Sequence, residues 1–476
     1  MATAKQAKGA PKAGRRQAAG ARQAPPALRI GWGLRDMTPT RPAMLQGQMH
    51  CRVATRAMDP LLVTALAIEG IAARAVLISC DLAFVPDDVL AAVRAGVCRQ
   101  VPELQSDEIV LFATHTHTSL VLGDGFYPFP GGDVMTPAEC AALVTEQAVA
   151  AAVAAWQSRQ PRLLGRAFGH AVVGHNRYAV YANGEARMYG QTAVPEFTGI
   201  SGYEDHGLDM LFTWEPDGRL AGIALAIPCP SQVDEGLNVF SADFWHEIRV
   251  ELRQRYGEQV HVLPLCAAAG DQSPHFLLYG RQEEEMRRRR GVSERQEIAA
   301  RVGAAVERAL ACTPPPPSQP ECAFTHETRH LELPPFAISR QDRDWAFATL
   351  VQCARQGDLE SWWPSRLRTI IQCADGQLAS APVAVETHII QLGDVAIAAC
   401  PFELFLDYSM RIKARSPAAQ TVVLQLAGGL GWYLPTAKAL QGGGYGAMPA
   451  VCAVGPEGGG VFVEDTLRAI GALFPA

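Results

Sequence analysis

Two histidines that are separated by one residue are the first candidates for chemistry. His115 and His117 follow the apolar segment 108–113, which is predicted to be a strand. Alternate side chains of a strand project to the same face, so both imidazoles can point at one site. This spacing suits joint zinc ligation, or one ligand beside an acid/base group. Taken alone the pattern is weak evidence, because two hydrogen-bonded loop histidines would have the same spacing.

Polar residues also stand where two other predicted strands end. Asp271 and Ser273 lie on a tight turn after segment 261–267, where short polar side chains can reach a substrate. The alternative is an ordinary Asp-initiated turn followed by Ser-Pro. Cys229 lies between two prolines after segment 220–227, which is an unusual place for a core residue. The carboxyl ends of strands are where α/β folds place their sites.

The elements that must position these residues alternate between strand and helix. Further elements are predicted as a strand at 75–82, a helix from Pro86, a helix from 137 to about 158, a helix near 342–356, a strand pair at 386–399 and a helix opened by Pro401. We therefore expect an α/β fold, a layered sandwich of mixed β-sheets flanked by helices, with the site at the carboxyl ends of strands.

Composition restricts the class of protein. The chain has 476 residues, 48% of them hydrophobic and 19% charged, with a formal net charge of -6. This balance gives no basic surface for nucleic acid or anionic membrane, and it favours small or neutral partners. The 12 cysteines include no C-x-x-C pair, which favours reduced thiols in a cytoplasmic enzyme. The most apolar helix candidate, 141–156, is interrupted by Glu146 and Gln147, so no transmembrane segment is expected.

One large domain is predicted over residues 28–476. Residues 1–27 form a basic tail without an apolar signal-peptide core, which predicts disorder but leaves export by another route open. The Pro-rich stretch 313–321 predicts a linker or a stiff surface crossing within the domain. The sequence does not indicate an oligomeric state.

Five short segments, in order, resemble the catalytic domain of the neutral/alkaline, non-lysosomal ceramidase family, whose members are zinc amidases. They are Ala113-Thr-His-Thr-His-Thr118 (similar to the family's G-T-H-T-H-S), His175-Asn-Arg177 (N-R), Gly270-Asp-Gln-Ser-Pro274 (G-D-V-S-P), Pro401-Phe-Glu403 (P-G-E) and Gly431-Trp-Tyr-Leu-Pro-Thr436 (G-Y-[IV]-[TP]-T). The resemblance spans nearly all of the chain from residue 28. The order of the five segments makes the match specific.

The resemblance implies a role for each matching residue. His115, Glu403 and Tyr433 would be zinc ligands, and His117 would lie beside the metal or contact substrate. Arg177 would contact the acyl carbonyl or the product carboxylate, and Asp271, Ser273 and Tyr433 would belong to the active site. The activity implied is hydrolysis of an N-acyl bond by a zinc-activated water, in a ceramide-like or smaller, lipid-like amide.

Two departures from the family leave alternatives open. Where the family has a further histidine ligand, this chain has Cys229, which can ligate zinc as a thiolate. Otherwise the site is impaired, or His246 fills the gap. The family's additional immunoglobulin-like domain is not expected after Tyr433, since about forty residues remain. The alternatives are therefore a zinc esterase or deacetylase, a retired binding protein, or a metal-free hydrolase that uses Ser273.

Overall fold

The apolar runs of the sequence form three mixed β-sheets in the computed structural model, which describes residues 28–316, 322–379 and 381–474. The first sheet has the strand order Ile109–Ala113, Arg74–Cys80, Leu62–Glu69, Arg29–Asp36 and Gln160–Pro161. The second sheet has the order His261–Cys266, Leu220–Ile227, Gly207–Trp214 and Leu163–His170. The third sheet has the order Phe324–Leu333, Val383–Leu392, Val395–Ala399 and Gln420–Leu424.

Each large sheet contains one parallel pair of strands, and its other pairs are antiparallel. Smaller pairings add the strands Ala43–Leu45 with Arg52–Ala54, His175–Asn176 with Gln272–Ser273, Glu403–Leu404 with Tyr433–Leu434, and Tyr178–Tyr181 with both Ala186–Met188 and Phe197–Ile200. Two of these small pairings contain predicted site residues, since Ser273 lies on one and Glu403 and Tyr433 lie on another.

Helices cover the outer faces of the sheets. The α-helices are Asp87–Gln100, Pro137–Gln157, Phe244–Tyr256, Gly280–Arg290, Glu294–Cys312, Arg340–Arg355, Trp362–Ala374, Leu406–Arg415, Ala437–Gly442 and Pro456–Leu473, with 3₁₀ turns at Ser106–Glu108 and Tyr445–Ala447. The predicted α/β architecture of mixed sheets flanked by helices is confirmed. One boundary differs from the prediction, because Glu403 lies on a short strand and the helix after Pro401 begins only at Leu406.

The inner faces of the three sheets meet in one core. Each contributes apolar side chains to a single buried cluster, which includes Leu66, Leu77, Val110, Leu211, Ala224, Leu263, Ile390, Ile397 and Leu424. The outer face of each sheet packs against its own helices in a separate cluster. Since strands alternate their side chains between faces, this arrangement requires strands that are apolar on both faces, as the sequence shows.

The helix Pro137–Gln157 is long and apolar enough to cross a membrane by length and composition alone, so the expectation of no transmembrane segment stays a prediction. It begins with a capping box from Thr136 and Glu139. Its face with Val144, Ala148 and Ala152 is buried in the core cluster of the first sheet. The apolar residues on this face of the helix are therefore explained by their packing against the first sheet. The N-terminal tail and residues 317–321 of the Pro-rich stretch lie outside the described residues.

Candidate active site

His115 lies immediately beyond the strand Ile109–Ala113, in a backbone conformation that is rare for a residue with a side chain. Its φ is 63°, in the left-handed region, which costs energy and is common at functional sites. Its Nδ1 is 2.5 Å from the carbonyl oxygen of Ala83, so Nδ1 carries the proton. Nε2 is therefore the ring nitrogen that could ligate a metal after losing its proton, since metal-binding histidines use one nitrogen and donate from the other.

Glu403 meets His115 from the short strand Glu403–Leu404, which follows the third sheet's strand Val395–Ala399. Its Oε2 lies 3.1 Å from Nε2 of His115, and both side chains are buried. Burial alone would lower the pKa of His115, but the neighbouring Glu403 carboxylate outweighs it and the pKa is raised. Burial likewise works to raise the pKa of Glu403, but His115 and Tyr433 lower it overall. A nitrogen and a carboxylate oxygen are thus brought together at the ends of two different sheets.

Tyr433 and Arg177 complete this group. Tyr433 pairs with Glu403 through a short parallel strand contact, and burial raises the pKa of its phenol well above the usual value. Arg177 donates from the same guanidinium nitrogen to the Tyr433 hydroxyl (3.0 Å) and to the carbonyl of Gly270 (2.8 Å). Its Nε is buried and has no hydrogen-bond partner among the described residues. Arg177 therefore keeps one buried donor that no described residue satisfies.

His117 is held in a network of its own. Its Nδ1 lies 3.1 Å from Oε2 of Glu235, and its Nε2 lies 2.8 Å from Nε2 of Gln232. The other carboxylate oxygen of Glu235 is 3.2 Å from Nε2 of His275. Burial lowers the pKa of His117, which favours the neutral imidazole. The rings of His115 and His117 are 5.0 Å apart and meet edge to face.

Cys229 lies apart from this group. It belongs to the buried cluster between the second sheet and its helices, and its thiol contacts the carbonyl of Pro230 at 3.4 Å. Burial raises the pKa of the thiol well above its usual value, which opposes formation of a thiolate. It is not among the residues that line the cavity around His115. The structure therefore does not support Cys229 as a ligand; among the alternatives, His246 does not line that cavity either.

Asp271 and Ser273 are buried at the edge of the site. The carboxylate of Asp271 accepts hydrogen bonds from the side chain of Asn176 and from the backbone N–H of Leu406, both at 2.9 Å. The hydroxyl of Ser273 accepts one from Tyr189 at 3.1 Å. Neither residue lines the cavity, although Tyr189 does. Their contacts fix the turn that carries them, and an active-site role for either stays a prediction.

A cavity of about 190 Å³ opens over the group. His115, His117, Arg177, Glu403 and Tyr433 line its polar part together with Gln232 and Glu235. Aromatic side chains form much of the remaining wall, namely Phe84, Phe126, Tyr127, Tyr189, Trp362, Trp432 and Tyr445. The stacked rings of Trp362 and Trp432 are 5.8 Å apart. A reactive polar end within an apolar wall suits an amphipathic small molecule.

The side chains of this cavity can hold a metal ion only if a ligand other than His, Cys, Asp or Glu takes part. In residues 28–316, 322–379 and 381–474, no three His, Cys, Asp or Glu side chains form a group that could hold a metal ion. Nε2 of His115 and Oε2 of Glu403 are 3.1 Å apart, and Tyr433 lies opposite Glu403 on the paired short strand. Their chemistry, an oriented imidazole, a carboxylate and a phenol, is suitable for a divalent ion such as zinc.

Sequence reasoning missed three residues of the site. Gln232, Glu235 and Tyr189 line the cavity but belong to no motif. The available signal for Gln232 and Glu235 was their position just after the strand Leu220–Ile227, at the same edge as His115. Of that turn, only Cys229 was predicted to belong to the site.

Comparison with known proteins shows a likeness in fold. No family model and no curated protein matches the chain. A solved structure described as ceramidase complexed with C2 covers 94% of this chain and 75% of that chain, with a TM-score of 0.66 and 15% identity. A neutral ceramidase from Pseudomonas aeruginosa covers 94% and 74%, with a TM-score of 0.65 and 15% identity. The resemblance predicted from the five motifs is confirmed at the level of the fold.

Proposed function

We propose that this protein is a metal-dependent hydrolase of N-acyl amide bonds, acting with zinc on a ceramide-like or smaller lipid-like amide. The observation that carries the proposal is the convergence of His115, Glu403, Tyr433 and Arg177 in one cavity, on the fold of neutral ceramidases. The aromatic wall of the cavity supports an apolar acyl group as part of the substrate.

The residues of the site divide the tasks of amide hydrolysis. His115, Glu403 and Tyr433 would hold the metal, which when bound polarises the acyl carbonyl and lowers the pKa of a water. Arg177 is placed to donate to the carbonyl oxygen as negative charge develops on it, because its Nε lacks an acceptor within the described chain. The Glu235 carboxylate holds His117 in a fixed orientation beside His115.

The test combines metal content with hydrolysis. Purified wild-type protein and the His115→Ala variant are equilibrated with zinc, desalted and analysed for bound metal. Both are then assayed on matched N-acyl and ester substrates of equal acyl length. We expect stoichiometric zinc and amide hydrolysis in the wild type, and loss of both in His115→Ala. The exposed His330 gives a matched control, since His330→Ala should change neither.

Other results of this test would contradict the proposed mechanism or support one of the alternative functions. Amide hydrolysis that survives complete removal of metal would contradict the metal-dependent mechanism. Cleavage of the ester alone would establish the esterase alternative, since both reactions use an activated water. Absence of both metal binding and hydrolysis in the folded wild type would support a retired binding protein.

A further inference from the structure

One buried acceptor at the cavity has no donor among the described residues. Gln232 is 1% exposed, and its Oε1 has no hydrogen-bond partner among the residues that the structure describes. Buried carbonyl oxygens are nearly always satisfied, and an exception calls for an unseen partner such as an ion. Gln232 lines the same cavity as His115, Glu403 and Tyr433. The unsatisfied oxygen therefore belongs to the reactive part of the molecule.

The orientation of the Gln232 amide follows from its neighbours. The Glu235 carboxylate lies 3.1 Å from Nδ1 of His117, so Nδ1 carries the proton of the neutral ring. The lone pair of His117 Nε2 then accepts from the Gln232 amide N–H at 2.8 Å. The amide oxygen cannot take that place, since two acceptors would face each other. Oε1 is thus left as the acceptor for another group.

The backbone also fixes Gln232 close to His115. The hydroxyl of the preceding residue, Ser231, donates to the carbonyl oxygen of Thr114 at 2.8 Å. Thr114 directly precedes His115, so the turn that carries Gln232 is tied to the loop that carries His115. Both Ser231 and Thr114 are fully buried, which restricts movement of either segment.

We propose that Oε1 of Gln232 is a metal ligand that acts together with His115, Glu403 and Tyr433. This inference rests on the proposed metal-dependent function and takes Cys229 out of the ligand set. The set then consists of one imidazole nitrogen and three oxygens. Oxygen donors suit harder cations, so the site discriminates less strongly between zinc and manganese than a nitrogen-rich or sulfur-containing site would.

The test measures metal affinity directly, by calorimetric titration of the metal-free full chain with zinc and with manganese. Gln232→Leu removes the donor at similar volume. Loss of even an outer partner of a metal ligand costs about 10- to 100-fold in affinity, so we expect Gln232→Leu to weaken zinc binding at least about tenfold. Gln232→His replaces oxygen by nitrogen and should shift the zinc-to-manganese preference toward zinc.

Three further variants serve as controls. Gln352 is exposed on the helix Arg340–Arg355 and lies outside the cavity, so Gln352→Leu should leave the affinity unchanged. Cys229→Ala should also leave it unchanged. Gln46 also lines the cavity and carries a second amide oxygen without a donor within the described chain. If Gln46→Leu weakens binding and Gln232→Leu does not, the assignment to Gln232 is overturned.

The outcomes separate this inference from the proposed function. Zinc binding by the wild type that Gln232→Leu leaves unchanged would refute the ligand assignment alone. Failure of the folded wild type to bind either metal would refute both. A Gln232→Leu protein that does not fold is recognised by its circular dichroism; the decision then rests on Gln232→His, where an unchanged metal preference counts against the proposal.

Discussion

At the scale of single residues, Arg177 is the clearest candidate for stabilising charge on the substrate. It is buried, contacts Tyr433 and Gly270, and keeps Nε available. We expect Arg177→Lys to lower kcat/KM by about 10²- to 10³-fold, because lysine cannot reproduce the planar set of donors. Metal content should stay unchanged. The exposed Arg187, which pairs with Glu185, provides the matched Arg187→Lys control, and equal losses in the two variants would rule out a specific role for Arg177.

The position of Cys229 in the structure shows what residue patterns can and cannot predict. Four residues of the motifs, His115, Arg177, Glu403 and Tyr433, line one cavity, and their roles there stay predictions. Cys229 was expected there because it stands where the ceramidase family has a histidine ligand and lies between two prolines at a strand end. However, it continues the alternation of Ile223, Leu225 and Ile227, all of which face the helices in the same buried cluster. The period of two, extended past the strand end, would have predicted its burial.

At the scale of elements, the boundaries of helices and strands were predictable where the residue pattern within the segment itself determines them. The helix Pro137–Gln157 and the strand Leu220–Ile227 match their predicted ranges within a residue. The helix Trp362–Ala374, which supplies Trp362 to the cavity wall, was not predicted. Short pairings such as Glu403 with Tyr433 also escaped prediction, because they depend on contacts between segments distant in sequence.

One buried ion pair joins two layers of elements and should be important for stability. Arg249, on the helix Phe244–Tyr256, donates two hydrogen bonds to Asp81, at 2.7 and 3.0 Å, beyond the first sheet's strand Arg74–Cys80. Their side chains are 2% and 0% exposed. We expect Arg249→Met to lower the free energy of unfolding by about 3 to 5 kcal/mol, because it leaves a buried carboxylate without its partner.

Urea unfolding of matched variants checks this prediction. Arg255 lies on the same helix and forms a more exposed pair with Glu251, so Arg255→Met should cost at most about 1 kcal/mol. The double variant Asp81→Leu/Arg249→Met should be more stable than Arg249→Met, since no unpaired charge is left buried. If the double variant is no more stable than Arg249→Met, the cost comes from lost packing instead.

At the scale of the whole molecule, the arrangement of three sheets around one core could not be derived from the sequence. Each sheet can be inferred from local strand patterns, but the sheets are joined by the shared apolar core and by isolated bridges, both of which involve segments distant in sequence. Phe112 pairs with Ala427, and Ala267 pairs with Leu424. Periodicity shows which faces are apolar and leaves open which sheet each face meets. The site depends on this arrangement, because its residues come from the ends of different sheets.

Glu386 connects the third sheet to the helix layer of the first and makes this assembly sensitive to pH. Its carboxylate accepts two hydrogen bonds from Arg94, at 2.5 and 3.1 Å, and lies 3.0 Å from His388. Burial works to raise the pKa of Glu386, but the hydrogen bonds from His388 and Arg94 outweigh it and lower the pKa to about 2. A carboxylate with a lowered pKa stabilises the folded state above its unfolded pKa of about 4.3, and this contribution is lost as the pH falls toward about 2.

Substitution of Glu386 should therefore have an effect that depends on pH. We expect Glu386→Gln to lower the free energy of unfolding by about 1 to 3 kcal/mol near neutral pH. The difference from the wild type should shrink steadily below about pH 4, as the wild-type carboxylate also loses its charge. Urea unfolding at a series of pH values measures it, with Glu332→Gln, an exposed change on the neighbouring strand, as the control. A difference that stays constant down to low pH would show that charge on Glu386 does not hold the two layers together.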